Sequence, residues 1–223
     1  LRAKWEALRD RMNGAGIKEP GLAVTELQMF ARLGGGGDGK RKLTHRTLVS
    51  PPTHAEALYD VLIYHQAARM GPFVHMVTHS ATVNHGGGLR KKHERVWANP
   101  CYYGRSMFAP FAGARRVAVE LTSPQAEAPM VLPELRHATP EQSYPLVDAL
   151  AVRKGDGRVL VSVVHCGAEE PARVELDVRG FSPSETARVT TLSADAPWAE
   201  NTLKHPEAIR SEEHTSELQS PSA

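Results

Sequence analysis

Residues 21–30 read Gly-Leu-Ala-Val-Thr-Glu-Leu-Gln-Met-Phe, a short apolar strand with a carboxylate, Glu26, near its C-terminal end. An unpaired carboxylate is costly to bury, so a Glu set among Leu, Val, Met and Phe needs a reason to be there. The preceding segment carries Trp5, Leu8 and Met12 at helical spacing. It stops at Asn13-Gly14-Ala15-Gly16, a glycine-rich helix end. Helix, short loop, strand and polar strand end are the rhythm of a β/α barrel, whose active sites lie where the strands stop. Glu26 is therefore a candidate catalytic carboxylate. A Glu facing solvent, or paired with an Arg at a barrel rim, fits the same pattern.

Composition narrows the class. The 223 residues are 41% apolar and 23% charged, ordinary for a globular chain of one large or two small domains. No apolar run approaches the roughly 20 residues needed to span a bilayer, so no membrane partner is expected. A net charge of +2 gives no argument for nucleic acid. Cys101 and Cys166 follow no metal or redox spacing and are expected to stay thiols.

Both ends are expected to be cut. The chain starts at Leu1, without Met and already in a helical pattern, so a missing signal peptide says nothing about compartment. An extracellular or periplasmic compartment is slightly favoured. Residues 210–223 match an in-frame translation of a common sequencing adapter and are expected to be a non-native tail outside the fold. Removing their one Arg and three Glu from 27 basic and 25 acidic residues leaves +4.

After the first strand, residues 34–42 are glycine-rich and basic, but no Gly-Lys-Ser/Thr enters a helix as a phosphate loop requires. They read as an exposed loop over the site. Pro51-Pro52 precede a helix whose Thr53 and Glu56 fit a capping box, with Leu58, Val61, Leu62 and His65 on one face. It stops at Gly71-Pro72. Residues 73–79 are apolar on both faces, as parallel barrel strands tend to be, and run out into Gly86-Gly87-Gly88. A charged stretch, 90–95, leads to Trp97 and an aromatic helix with Tyr102, Tyr103, Met107, Phe108 and Phe111. From Arg116 the texture changes to short strand-like runs at 117–121, 146–152, 159–164 and 172–178, which read as a β-sandwich.

Together these residues resemble the C-terminal half of an α-L-arabinofuranosidase of glycoside hydrolase family 51, over most of the chain up to Ile209. The resemblance is carried by Ala23-Val24-Thr25-Glu26 after a helix, His65-Gln66-Ala67-Ala68 before the next strand, Val83-Asn84 after it, and Tyr102-Tyr103 before the aromatic helix. Ala199-Glu200-Asn201-Thr202 followed by His205-Pro206-Glu207 also fits. It implies an α/β plus all-β chain: the last two units of a (β/α)8 barrel in 1–114, then a β-sandwich in 115–209. It also implies a retaining hydrolase that removes terminal arabinofuranosyl residues from arabinose-containing polysaccharides, with Glu26 as nucleophile and no cofactor. The family's acid/base Glu follows an Asn, and no Asn-Glu pair occurs here, so that residue is expected outside this chain. Homo-oligomers are compatible with this reading.

Several positions depart from the family pattern. Leu27 and Gln28 stand where Trp and Asn are usual, and Ala81 where a Gln is common. Asn84 and Phe30 are candidate substrate contacts; a loop-capping Asn is the alternative for Asn84. Phe30, Trp97 and Tyr103 could stack on sugar or pack at the barrel–sandwich junction. A rival reading is a metal-dependent barrel hydrolase using His75, His79 and His85. Another is a non-catalytic carbohydrate- or nucleic-acid-binding module, supported only by the basic runs at 40–42 and 90–92.

Overall fold

The computed structural model describes residues 1–29, 31–32, 48–49, 52–127, 143–167 and 170–217. The glycine-rich loop at 34–42 and Phe30 therefore lie outside the described residues. Helix α1, Arg2–Gly14, has Trp5, Leu8 and Met12 half-buried, the stripe that its spacing requires. Gly16 then takes φ 85°, a left-handed turn open to glycine at little cost.

Strand β1, Leu22–Leu27, follows, then a two-residue antiparallel ladder between β2, Ala31–Arg32, and β3, Leu48–Val49. Helix α2, His54–Met70, crosses back to β4, Val74–His79, which pairs parallel to β1. The register sets Leu22 beside Val74, Val24 beside Val77, and Leu27 beside His79, so both strands end at the same level. Among the described residues this sheet has two strands and no closed barrel is seen.

Thr53 is the N-cap position of α2, but the expected capping box does not form: no side-chain cap bond closes it, and Glu56 reaches instead to the Met29 amide. The unsatisfied amides of the first helical turn are answered from far along the chain. His54 N–H donates to the Ala199 carbonyl at 2.8 Å and Ala55 N–H to that of Pro197 at 2.9 Å. Gly71, φ 59°, ends the helix as expected. Its buried face also differs from expectation. Glu56, Asp60 and His65 are fully buried alongside Ala57 and Ile63, while Leu58, Val61 and Leu62 are half-buried.

The charged stretch expected as a lead-in is a hairpin, β5, Leu89–Lys92, with β6, Arg95–Ala98. His93 takes φ 54° at its turn, a backbone choice that the charge pattern does not advertise. The glycines before it are sterically required. A Cβ on Gly87 would lie 1.9 Å from the Ala81 carbonyl oxygen, and Gly88 takes φ 95° against Tyr102. Helix α3, Pro100–Phe108, packs along α2, with Gly104 opposite Ala57. Phe108 lies against Tyr64 and His65 and stacks on Phe111 at 4.7 Å.

The second half is antiparallel. Strand β10, Val147–Arg153, lies between β11, Val159–His165, and the short β7, Arg115–Arg116. β8, Gln125–Glu127, pairs with β9, Ser143–Pro145, and β12, Thr186–Thr191, with β13, Glu212–Glu217. The runs at 146–152 and 159–164 thus form strands, with Gly157 at φ 90° in the turn between them. Residues 117–121 and 172–178 are not assigned as strands. Their alternate apolar residues, including Val119, Leu121, Val174, Leu176 and Val178, are exposed. Residues 212–217, expected outside the fold, do form a strand. Its ladder is built from backbone bonds, so a run of Glu, His, Thr and Ser can join without an apolar face.

Helix α2 ties the two halves together. Arg69 makes two bonds to the Asp148 carboxylate and a third to the Ala149 carbonyl. His65 Nδ1 meets Asp148 Oδ2 and its Nε2 meets Ser162 Oγ, both at 2.8 Å. The connectivity is that of a hydrolytic triad, but His65 is fully buried between helix and sheet, so the group acts as a lock. On the other side of the chain, Trp97 Nε1–H donates to the Asn201 carbonyl, and Asn201 bonds both backbone groups of Ile209.

Candidate functional site

Two parallel strands ending together place their last residues on a common rim, the position where α/β folds bind ligands. At this rim Leu27 is buried, 5% exposed, whereas Glu26 is exposed. The register between Val24 and Leu27 is irregular. That break leaves Thr25 and Glu26 both on the accessible side. Thr78 Oγ1–H donates to the Thr25 carbonyl at 2.6 Å and braces the backbone before Glu26.

Just beyond the strand ends, Gln28, Ser80 and His85 form a polar chain. The Ser80 hydroxyl donates to Gln28 Oε1 at 2.5 Å, and His85 Nδ1 lies 2.6 Å from Ser80 Oγ. One hydroxyl has one proton, so His85 Nδ1 is the donor to Ser80. The sequence marks Gln28 only as a departure from the family pattern and gives no signal for Ser80. Only the register of the parallel pair brings these residues, far apart in the chain, together.

Behind the rim lies a buried acidic cluster on the helix side. Glu56 Oε2 accepts a 2.6 Å bond from the Met29 amide, while Glu56 Oε1 and both Asp60 oxygens have no hydrogen-bond partner. Burial pushes the Glu56 carboxyl up to about 7, against the Met29 bond, which lowers it. Burial, then the neighbouring Glu56 charge, raises Asp60 to about 9, with Arg105 opposing. His79 Nδ1 meets the Gly86 carbonyl at 3.0 Å and its Nε2 the Tyr64 hydroxyl at 2.7 Å. Burial and then Arg105 lower His79 to about 4, against the Gly86 bond, so its ring is neutral at pH 7. The 3.4 Å approach of His79 Nε2 to Asp60 Oδ2 is therefore not an ion pair between charged groups. Burial likewise raises the Cys101 thiol to about 12, which makes it inert.

The three histidines of the metal reading do not converge. His79 turns to α2, His85 to Ser80, and exposed His75 lies against Gly21 at the opposite end of β4. Among the described residues, the group able to hold a metal is Glu56, Asp60 and His79. Glu56 was legible only as a helix cap, and Asp60 carried no signal in the sequence.

Asn84, at φ 60°, spends both ends of its amide on the Lys91 backbone, at 2.8 and 3.1 Å, which is the loop-capping use. Trp97 is held by Asn201 at the junction between the halves. Tyr103 is half-buried in α3 beside Tyr102.

The family model described as the alpha-L-arabinofuranosidase C-terminal domain matches residues 38–222. The chain belongs to this family. Its fold is also that of solved family 51 enzymes. The GH51 arabinofuranosidase from Xanthomonas axonopodis pv. citri superposes with a TM-score of 0.72 at 21% identity, over 94% of this chain and 38% of that one. The thermostable GH51 α-L-arabinofuranosidase from Thermotoga petrophila RKU-1 gives 0.68 at 18%, over 97% and 45%. An α-L-arabinofuranosidase from Thermotoga maritima, solved as an arabinose complex, gives 0.67 at 18%, over 95% and 44%. The chain thus spans less than half the length of these relatives. No curated protein matches it in sequence. As an arabinofuranosidase C-terminal domain it combines the helices and sheets described above, and the family places it among glycoside hydrolases.

Proposed function

We propose that this chain is the part of a retaining α-L-arabinofuranosidase that supplies the nucleophile, Glu26. The observation that carries the reading is the exposed Glu26 carboxylate at the C-terminal end of a strand paired in parallel with β4 through a helical crossover. On this reading residues 1–114 are the last units of a (β/α)8 barrel and 115–209 belong to a β-sandwich. The parallel β1–α2–β4 unit and the antiparallel ladders after Arg115 support that division.

The Glu26 carboxylate attacks the anomeric carbon of a terminal arabinofuranosyl residue, and the glycosidic oxygen leaves with a proton from a second carboxylic acid. Water, deprotonated by that second group, then cleaves the glycosyl ester and regenerates Glu26. The two carboxyl groups of such an enzyme stand about 5–5.5 Å apart. Glu56 and Asp60 cannot serve as the second one, because they are fully buried on the helix side of the sheet. It comes instead from a part of the enzyme not contained in these 223 residues. The polar chain of Gln28, Ser80 and His85 stands where it can position the sugar.

The test is Glu26→Gln in the enzyme that carries the whole barrel, assayed on an aryl α-L-arabinofuranoside. Turnover should fall by several orders of magnitude with the fold intact. Retention of more than about a tenth of the activity, a barrier change under about 1.4 kcal/mol, removes Glu26 from the role.

A further inference from the structure

We propose that Glu56, Asp60 and His79 bind a divalent transition-metal ion of the zinc class, which pins helix α2 to the ends of β1 and β4. One donor atom from each lies within 4.8 Å of the others. Tetrahedral bonds of about 2.0–2.2 Å put donors on one ion roughly 3.3–3.6 Å apart, so side-chain rotations that draw the donors together by about 1 Å close the set. Glu56 and Asp60 stand one turn apart on the same face of α2, and His79 is the last residue of β4.

Two of the three side chains are already oriented, each by one bond that leaves a donor facing the cluster. Glu56 Oε2 is taken by the Met29 amide, and its Oε1 has no partner. His79 Nδ1–H is taken by the Gly86 carbonyl, the arrangement by which metal-binding imidazoles are commonly fixed. That bond makes Nε2 the lone-pair nitrogen. Asp60 is the unexplained member: it is fully buried, and neither of its oxygens has a hydrogen-bond partner. A carboxyl in that state needs a partner, and a cation shared with Glu56 and His79 is one that the cluster can hold.

Tyr64 donates its hydroxyl to His79 Nε2 at 2.7 Å, so the ion takes over that lone pair and leaves the hydroxyl beside the fourth coordination position. Two carboxylates neutralise a divalent ion. One imidazole with two carboxylates suits zinc or manganese better than calcium, which takes six to eight oxygens, or magnesium, which keeps several waters. The side chains are almost without exposed surface, so the site is closed and structural. Its consequence is positional: the Met29 bond places the ion one link from the strand end that carries Glu26.

The test uses the 223-residue chain, stripped with a chelator and dialysed against zinc chloride, then read for bound zinc and thermal midpoint. One zinc per chain and a midpoint raised by several degrees are expected, with magnesium giving neither. Asp60→Asn should weaken binding at least tenfold, while His75→Gln and His85→Gln should leave it unchanged. Uptake that survives Asp60→Asn places the ion at surface histidines and overturns the proposal, as does a wild-type chain that takes up no stoichiometric zinc. Cobalt(II) gives a reading on the wild-type chain alone, independent of how the variants fold. Strong visible absorption of a four-coordinate site with one nitrogen donor is expected, and the weak spectrum of the hydrated ion counts against the site.

Discussion

Arg69 and Asp148 are joined by two parallel N–H···O bonds of 3.0 and 2.8 Å that cross from helix α2 to strand β10. The planar guanidinium fork matches the carboxylate at both oxygens, a geometry that lysine cannot reproduce. Arg116 Nη1–H donates to the Arg69 carbonyl at 2.9 Å, so the same residue is held through its backbone as well. Helix and sheet are therefore fixed through a charged contact with little exposure, 17% and 14% for the two side chains.

The first prediction concerns acid stability. Burial raises the Asp148 carboxyl, but hydrogen bonds from His65 and Arg69 outweigh it and hold the group below its ordinary value. A depressed folded-state pKa contributes stability that is fully present above the unfolded value, about 3.9, and is lost as pH falls through the folded value. Asp148→Asn should cost about 3 kcal/mol at pH 7, because it leaves Arg69 without its counter-charge. The gap in thermal midpoint between wild type and variant should be constant above about pH 5 and narrow below about pH 4. A gap that stays constant down to pH 2 would show that the carboxylate charge is not what the lock uses.

The second concerns Ile209. Its amide and carbonyl are both bonded to the Asn201 side chain, at 2.8 and 2.7 Å, and its own side chain is buried. Asn201 also donates to the Ala98 carbonyl, so Ile209 is fastened to the β5–β6 hairpin. Ile209→Ala should cost about 2–3 kcal/mol, a midpoint lower by roughly 4–12 °C. A change within experimental error would mean that the segment around Asn201 is not part of the cooperative unit.

The third concerns the polar end of the chain. β13 pairs with β12 along six residues, yet its side chains are almost all exposed, and two-stranded ribbons are marginal without an apolar face. Deleting 211–223 while keeping Ile209 should move the thermal midpoint by less than about 2 °C, under about 1 kcal/mol. A larger drop would make the β12–β13 ladder a structural requirement of this domain.

What could be read in advance followed from side-chain pattern. The half-buried Trp5–Leu8–Met12 stripe and the strands at β1, β4, β10 and β11 lie where the apolar runs place them, but β4 is not covered on both faces as its run suggests: His75 and Met76 are exposed. The same pattern puts Glu26 near the end of β1, where it is exposed. What stayed hidden depends on backbone or on distant partners. The β5–β6 hairpin turns on His93 at positive φ, and β12 pairs through polar residues. The Thr53–Glu56 spacing suggested a local cap, but Met29 captured Glu56 from the neighbouring strand end. Asp60 and the Ser80 chain become visible only when β1 and β4 are set side by side.

The last prediction concerns the activity of the 223 residues alone. A retaining glycosidase needs a second carboxyl group about 5–5.5 Å from the nucleophile, on the same side of the sugar-binding cleft. Glu26 lies on the accessible side of a two-stranded sheet, whereas the Glu56 and Asp60 carboxyls on helix α2 are fully buried. A barrel closes with eight strands, and the outer edges of β1 and β4 carry no strand partner among the described residues. Attack could not be assisted at the leaving oxygen, nor could water be activated for the second step. The purified chain should therefore hydrolyse an aryl α-L-arabinofuranoside no faster than its own Glu26→Gln variant. Turnover clearly above that control would reveal a sufficient acid/base group within these residues, and Glu56→Gln and Asp60→Asn would be the variants to locate it.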